Sequence, residues 1–102
     1  MLNKNIVAIG GGGFGRSLGE LKIEKFITSL VKKDRPKVCF IPTASGDNDL
    51  YKLNFYRAFS QLNCKTSHLD FFSRTENVEK KILSQDIIYV GGGNTKSMLA
   101  VW

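Results

Sequence analysis

Two glycine-rich stretches and one histidine are the places where this chain could do chemistry. The first stretch reads "AIGGGGFGRSLGE", Ala8 to Glu20, the second reads "GGGNT", Gly91 to Thr95, and the histidine is His68. Seven of the ten glycines fall in the clusters Gly10 to Gly13 and Gly91 to Gly93. Clustered glycine allows backbone to approach a ligand closely, because no Cβ stands in the way. The first stretch fits three catalytic signatures at once. As Gly10-x-Gly12-x-x-Gly15 it is a dinucleotide fingerprint; as Gly10-x4-Gly15-Arg16-Ser17 it is a P-loop; as Gly15-x-Ser17-x-Gly19 it is a serine nucleophile elbow.

Each signature demands a context that the neighbouring residues test. A dinucleotide site needs the helix to start within the motif so that its N-terminus meets the pyrophosphate. Here helical periodicity starts only near Leu21, and the second strand ends in Ile41-Pro42-Thr43 without an acidic residue. A P-loop needs a lysine as a compact charge on the terminal phosphates, where this chain has Arg16. An elbow needs its serine directly after a strand, and Ser17 stands seven residues beyond Gly10. His68 falls in the middle of an expected strand and reads as a structural residue. A Ser17–His68 pair assisted by Asp47 or Asp70 is the alternative reading.

Composition narrows the class. The 102 residues are 42% hydrophobic and 24% charged, the balance of one ordinary globular domain spanning residues 1–102. The net charge of +6 is distributed in pairs such as Lys32-Lys33 and Lys80-Lys81, with no basic run interleaved with aromatics. A solvated surface is therefore expected, and no nucleic-acid partner. Cys39 and Cys64 sit among apolar residues far from any CxxC spacing, and read as buried thiols of a reducing compartment. No metal and no cofactor are expected. No run approaches about 18 apolar residues and no leader-like segment opens the chain, so the expectation is a cytoplasmic protein without a membrane partner.

The elements that must hold these loops alternate in type. Asn5 to Ile9 is an apolar run suited to a strand buried on both faces. Ile23, Phe26, Ile27, Leu30 and Val31 have the spacing of a helix face, with Lys32 and Lys33 at its C-terminal end. Lys37 to Pro42 is a strand, and the loop Thr43 to Asp47 leads to a helix capped by Asp47 or Asn48, with Tyr51, Phe55, Phe59 and Leu62 inside. Lys65 to Phe71 is a third strand; Ser73 and Glu76 form a capping box for a short helix carrying Val78, Ile82 and Leu83. Gln85 to Val90 is a fourth strand, and a last helix begins near Thr95. Alternation without hairpin signals predicts an α/β fold with a mostly parallel sheet flanked by helices. Ligands in such sheets bind beyond the carboxyl ends of the strands, where the loops Gly10 to Gly19, Thr43 to Asp49 and Gly91 to Thr95 lie.

Three segments taken together, "IVAIGGGGFGR", "KVCFIPTASGD" and "QDIIYVGGGNTKSMLAVW", resemble the amino-terminal half of the peptidase E (aspartyl dipeptidase and cyanophycinase) family of serine peptidases. The resemblance implies a doubly wound, flavodoxin-like fold of the class I glutamine amidotransferase-like type. It implies hydrolysis of Asp-Xaa peptide bonds through a serine acyl-enzyme, with a small peptide as substrate. By the same resemblance, the Gly93 backbone N–H belongs to the oxyanion hole. Gly92, Asn94, Thr95, Gly12 and Ser45 are then the candidate substrate-binding residues. Without the resemblance, Gly91 to Gly93 read as a tight turn into a helix capped by Asn94 or Thr95. The family's Gly-x-Ser-Ala-Gly nucleophile segment and its histidine are not matched in this sequence. The chain is therefore expected to be inactive alone and to self-associate or pair with a chain supplying the second half. A non-catalytic oligomerising or small-molecule-binding remnant is the first alternative, and a nucleotide-binding protein using the first glycine loop the second.

Overall fold

The segment Lys37-Val-Cys-Phe-Ile41 is the organising strand, β1. Its β-branched and aromatic side chains alternate between two covered faces, and Val38, Cys39, Phe40 and Ile41 are all buried. The computed structural model describes residues 4–9, 21–46, 48–70, 77–92 and 95–102. Among them, helix α1 spans Lys22–Ser29, β1 follows, and a 3-10 turn covers Thr43–Ser45. Helix α2 (Asp49–Ser60), strand β2 (Lys65–His68), helix α3 (Val78–Leu83), strand β3 (Ile87–Val90) and helix α4 (Thr95–Val101) complete the order. The chain thus has an α/β fold, a parallel sheet in the order β2-β1-β3 flanked by helices.

The strand order fixes the helix placement. The β1–β2 connection runs one way along the sheet, and the β2–β3 connection returns across β1. Parallel crossovers share one hand, so opposite directions place their helices on opposite faces. Accordingly α2 packs Phe55, Ala58 and Phe59 against Val38 and Phe40, while α3 sets Ile82 against Cys39, Ile41 and Leu69. Asn48 caps α2 as expected: its side-chain Oδ1 accepts from the N–H groups of Leu50 at 2.9 Å and Tyr51 at 3.2 Å.

Several expectations are corrected. Residues 5–9 form no strand: Ile6 is 98% exposed and Val7 is also open to solvent. An apolar run becomes a strand only with a neighbour to complete its ladder and layers over both faces, and among the described residues this segment has neither. Helix α1 buries Glu24 and Ile27, with Leu21 buried just before it, whereas Phe26, placed on its inner face by periodicity, is 55% exposed. It ends at Ser29, so Lys32 and Lys33 lie beyond its last turn. On α2, Phe55 and Phe59 are buried but Tyr51 is exposed. Ser73, Glu76 and Phe71 lie outside the described residues; α3 opens at Asn77, in the left-handed region at φ 55°. No helix among the described residues is long and apolar enough to cross a membrane.

The amino-terminal edge of the sheet is pinned by Asp86. Its Oδ1 accepts from Lys33 Nζ at 2.7 Å and its Oδ2 from the Lys37 N–H at 2.9 Å, while its own N–H donates to the Lys37 carbonyl at 2.9 Å. The Lys33 ammonium, and then the Lys37 N–H, hold the Asp86 carboxyl below its ordinary value. A carboxyl depressed in the folded state stabilises the fold above its unfolded pKa, near 4, and loses that contribution as pH falls through the lower folded value. Asp86→Ala is expected to cost about 1–2 kcal/mol at neutral pH, since Lys33 is largely solvated and adds little. Denaturant titrations across the acid range should show a shallower acid loss in Asp86→Ala than in the parent chain.

Candidate active site

The strand order β2-β1-β3 puts the carboxyl ends of β1 and β3 side by side, the position where α/β sheets bind ligands. From β1 the chain passes through buried Pro42 into the 3-10 turn. Ser45 N–H donates to the Pro42 carbonyl at 3.1 Å and Gly46 N–H to the Thr43 carbonyl at 2.9 Å. Gly46 then turns the chain at φ 71°, a conformation that glycine adopts without strain. The Ser45 hydroxyl donates to the same Pro42 carbonyl at 2.9 Å, which orients the hydroxyl and leaves its oxygen able to accept.

At the end of β3, the Gly91 N–H donates to the Ile41 carbonyl at 3.0 Å and so extends the ladder by one residue. A Cβ at Gly91 would stand 2.9 Å from Phe40 Cε1 and 3.0 Å from Cζ, so a side chain there would force the ring or the strand end to move. Gly92 differs: it is exposed, and a Cβ would meet nothing within 4 Å. Thr95 opens α4, which packs on the 3-10 turn. At the far end of α4, the Trp102 indole N–H donates to Oγ1 of the fully buried Thr43 at 3.1 Å. The structure therefore brings Gly92, Ser45 and the start of α4 to one end of adjacent strands. Gly12, Gly93 and Asn94 lie outside the described residues, as do Ser17, Asp47 and Arg16. Lys96 is exposed on α4.

Beneath the β3 exit lies an aromatic layer. Phe40 stacks on Phe55 with ring centroids 4.9 Å apart, and Tyr89 meets Phe40 edge-on at 6.0 Å. Burial, and then the Glu24 charge, pushes the Tyr89 phenol up to about 12. Glu24 is itself buried, and its Oε1 accepts no hydrogen bond among the described residues.

A separate polar corner forms where β2 ends. Tyr56 Oη and His68 Nδ1 are 2.5 Å apart, and His68 Nε2 faces Asp70 Oδ2 at 3.6 Å. Lys52 Nζ meets Asp70 Oδ1 at 2.8 Å, and Lys81 Nζ donates to the His68 carbonyl at 3.0 Å. Asp70, ahead of burial, which acts the other way, holds the Lys52 ammonium above its ordinary value; burial pushes the Tyr56 phenol up. The Tyr56 contact links α2 to β2 through His68, which stands at the last position of β2 with a third of its side chain exposed, and not in mid-strand as expected. Of its suggested partners the structure brings Asp70 to it. Cys39 and Cys64 are unpaired and buried, and burial raises both thiols away from the reactive thiolate form. Among the described residues, no three His, Cys, Asp or Glu side chains cluster as metal ligands.

Two contacts escaped sequence reasoning. The Phe40 ring under Gly91 follows from alternation along β1 only when the β1–β3 register is known. The Trp102–Thr43 bond joins positions far apart in the chain, with no local signature. Comparison with known proteins adds a second kind of finding. The family model described as Peptidase family S51 matches residues 6–102. A protein of Bacillus subtilis (strain 168), named as the uncharacterized peptidase YgaJ, is 42% identical over 100 residues, covering 97% of this chain and 44% of that protein. This chain thus spans less than half the length of that relative. No solved structure matches it.

Trp102 is the sole tryptophan, so its emission reports the α4 anchor. Thr43→Val keeps the side-chain shape and removes the acceptor. It is expected to shift tryptophan emission, speed amide exchange in α4, and cost about 1 kcal/mol of stability. Unchanged emission and α4 exchange would show that this bond does not hold the helix.

Proposed function

The chain belongs to peptidase family S51, and we propose that it carries the oxyanion side of a serine peptidase that hydrolyses Asp-Xaa bonds. The observation that carries the proposal is the glycine loop leaving β3 at the carboxyl edge of the sheet, within a chain matched to this family from residue 6 to residue 102. In this reading the Gly93 N–H donates to the oxygen that becomes negative when a serine attacks the scissile carbonyl. Fixed backbone donors of this kind stabilise the tetrahedral intermediate by about 3–4 kcal/mol, because they need no reorganisation as charge develops. Gly92, Asn94, Thr95, Ser45 and Gly12 would line the substrate side. Open space above Gly92 supports that assignment, as does the free accepting capacity of the Ser45 hydroxyl.

The 102 residues contain no Gly-x-Ser-Ala-Gly segment, and His68 Nδ1 is held by the Tyr56 hydroxyl. In this reading the nucleophile and its base are supplied by the remaining length of such a peptidase. The far edge of β3 gives that portion a place to join: no strand pairs with it among the described residues, and Ile88 and Val90 are exposed beside it. Release of aspartate from an Asp-Xaa dipeptide should be undetectable with this chain alone. It should emerge when the chain is mixed with the part of YgaJ that lies outside the match, and Asn94→Ala should lower it. Activity of the chain alone that vanishes in Ser17→Ala would instead place the nucleophile in the first glycine stretch. A mixed complex that forms, seen by sedimentation, yet hydrolyses nothing would count against the peptidase reading.

A further inference from the structure

We propose that Phe40 is a positioning residue for the glycine loop: its ring is the floor on which Gly91 rests, and it sets where the backbone donors that follow are presented. The proposal rests on the functional reading above for its catalytic consequence, and on geometry alone for the positioning itself.

Gly91 is clamped from two directions. Its N–H is engaged by the Ile41 carbonyl at 3.0 Å, so it offers no donor to a substrate. The space its side chain would need is filled by Phe40 Cε1 and Cζ. Phe40 cannot yield easily. It sits on the central strand at 1% exposure, lies flat on Phe55 at an interplanar angle of 14°, and is met edge-on by Tyr89. Interiors packed this tightly transmit a displacement instead of absorbing it. Gly91 is therefore glycine for contact and Gly92 is glycine for access, a division of labour within one triglycine run.

Three substitutions and one control test this. In Gly91→Ala, the new methyl group should lift the end of β3 off the ring, shift the Gly92 amide resonance and speed its solvent exchange in the chain by itself. In the mixed peptidase the same change should lower kcat about a hundredfold with KM little altered, the cost of misplacing a catalytic group by roughly an ångström. Phe40→Leu alone removes the floor and should also disturb the Gly92 amide. Combined as Gly91→Ala/Phe40→Leu, the two should bring that amide and kcat back toward the parent values, because the methyl group then occupies the vacated ring space. Phe59→Leu removes a ring that touches Tyr89 but none of the three atoms nearest Gly91, and should move the Gly92 amide far less than Phe40→Leu does. The proposal is overturned if Gly91→Ala leaves the Gly92 amide unmoved, if Phe59→Leu moves it equally, or if the double variant is no closer to the parent than Gly91→Ala. Absence of hydrolysis in the parent mixture would sink the peptidase reading, while the amide measurements would still decide the role of Phe40.

Discussion

Everything in this molecule hangs on β1 being paired along both edges and covered on both faces. β2 and β3 contact it and not each other, so their relative position is whatever the two ladders on β1 dictate. Asp86 sets the start of the β3 ladder, and the Gly91–Ile41 bond closes its end. Between those points Val38 faces Ile87 and Ile41 faces Val90, with no slack for a one-residue slip. A slip of β3 would turn Tyr89 to the opposite face and leave Gly91 over a different side chain. The candidate site is thus a direct product of strand register.

Much of this was legible in the residues, for a definite reason. The apolar run Lys37 to Ile41 and the helix with Phe55 and Phe59 carry strong periodic signals, and Asn48 is a capping residue at the expected place. These are local properties, and local chemistry decides them. Residues 5–9 carry an equally strong apolar signal, yet form no strand here, because a strand is completed by a neighbour and not by its own sequence. On α1, Ile27 is buried as its spacing implies, but tertiary packing buries Glu24 and leaves Phe26 outside, which periodicity alone does not indicate. Of the candidate site, the loops after β1 and β3 leave adjacent strands at the same end, as alternation of strands and helices implies, whereas the Phe40 floor and the Trp102 anchor depend on register and tertiary contact.

Two polar arrangements contrast in how their burial is compensated. At the end of β2, Tyr56 and Lys52 of α2 and Lys81 of α3 meet His68 and Asp70, and contacts of that kind fix how the helices sit on the sheet. Near the end of β3, Glu24 is as buried as the apolar core, yet its Oε1 has no donor among the described residues, beside a phenol that burial keeps protonated. Desolvating a carboxylate oxygen without a donor costs free energy in any fold. The first arrangement therefore serves rigidity, whereas at the second Glu24 Oε1 has no donor among the described residues.

The sheet order also bears on how the chain finds its structure. Every pairing joins strands separated by a helix: Lys37 meets Lys65 across α2, and Val38 meets Ile87 across both α2 and α3. No hairpin can nucleate such a sheet, and loop-closure entropy must be overcome before the first ladder bond forms. The β1–α2–β2 unit closes the shorter loop and brings Phe40, Phe55 and Phe59 together, which makes it the natural nucleus. The β1 edge that β3 covers carries unpaired backbone donors and acceptors whenever β3 is not in place, so a substitution that loosens β3 exposes at once the glycine loop's anchor and a strand edge open to other chains.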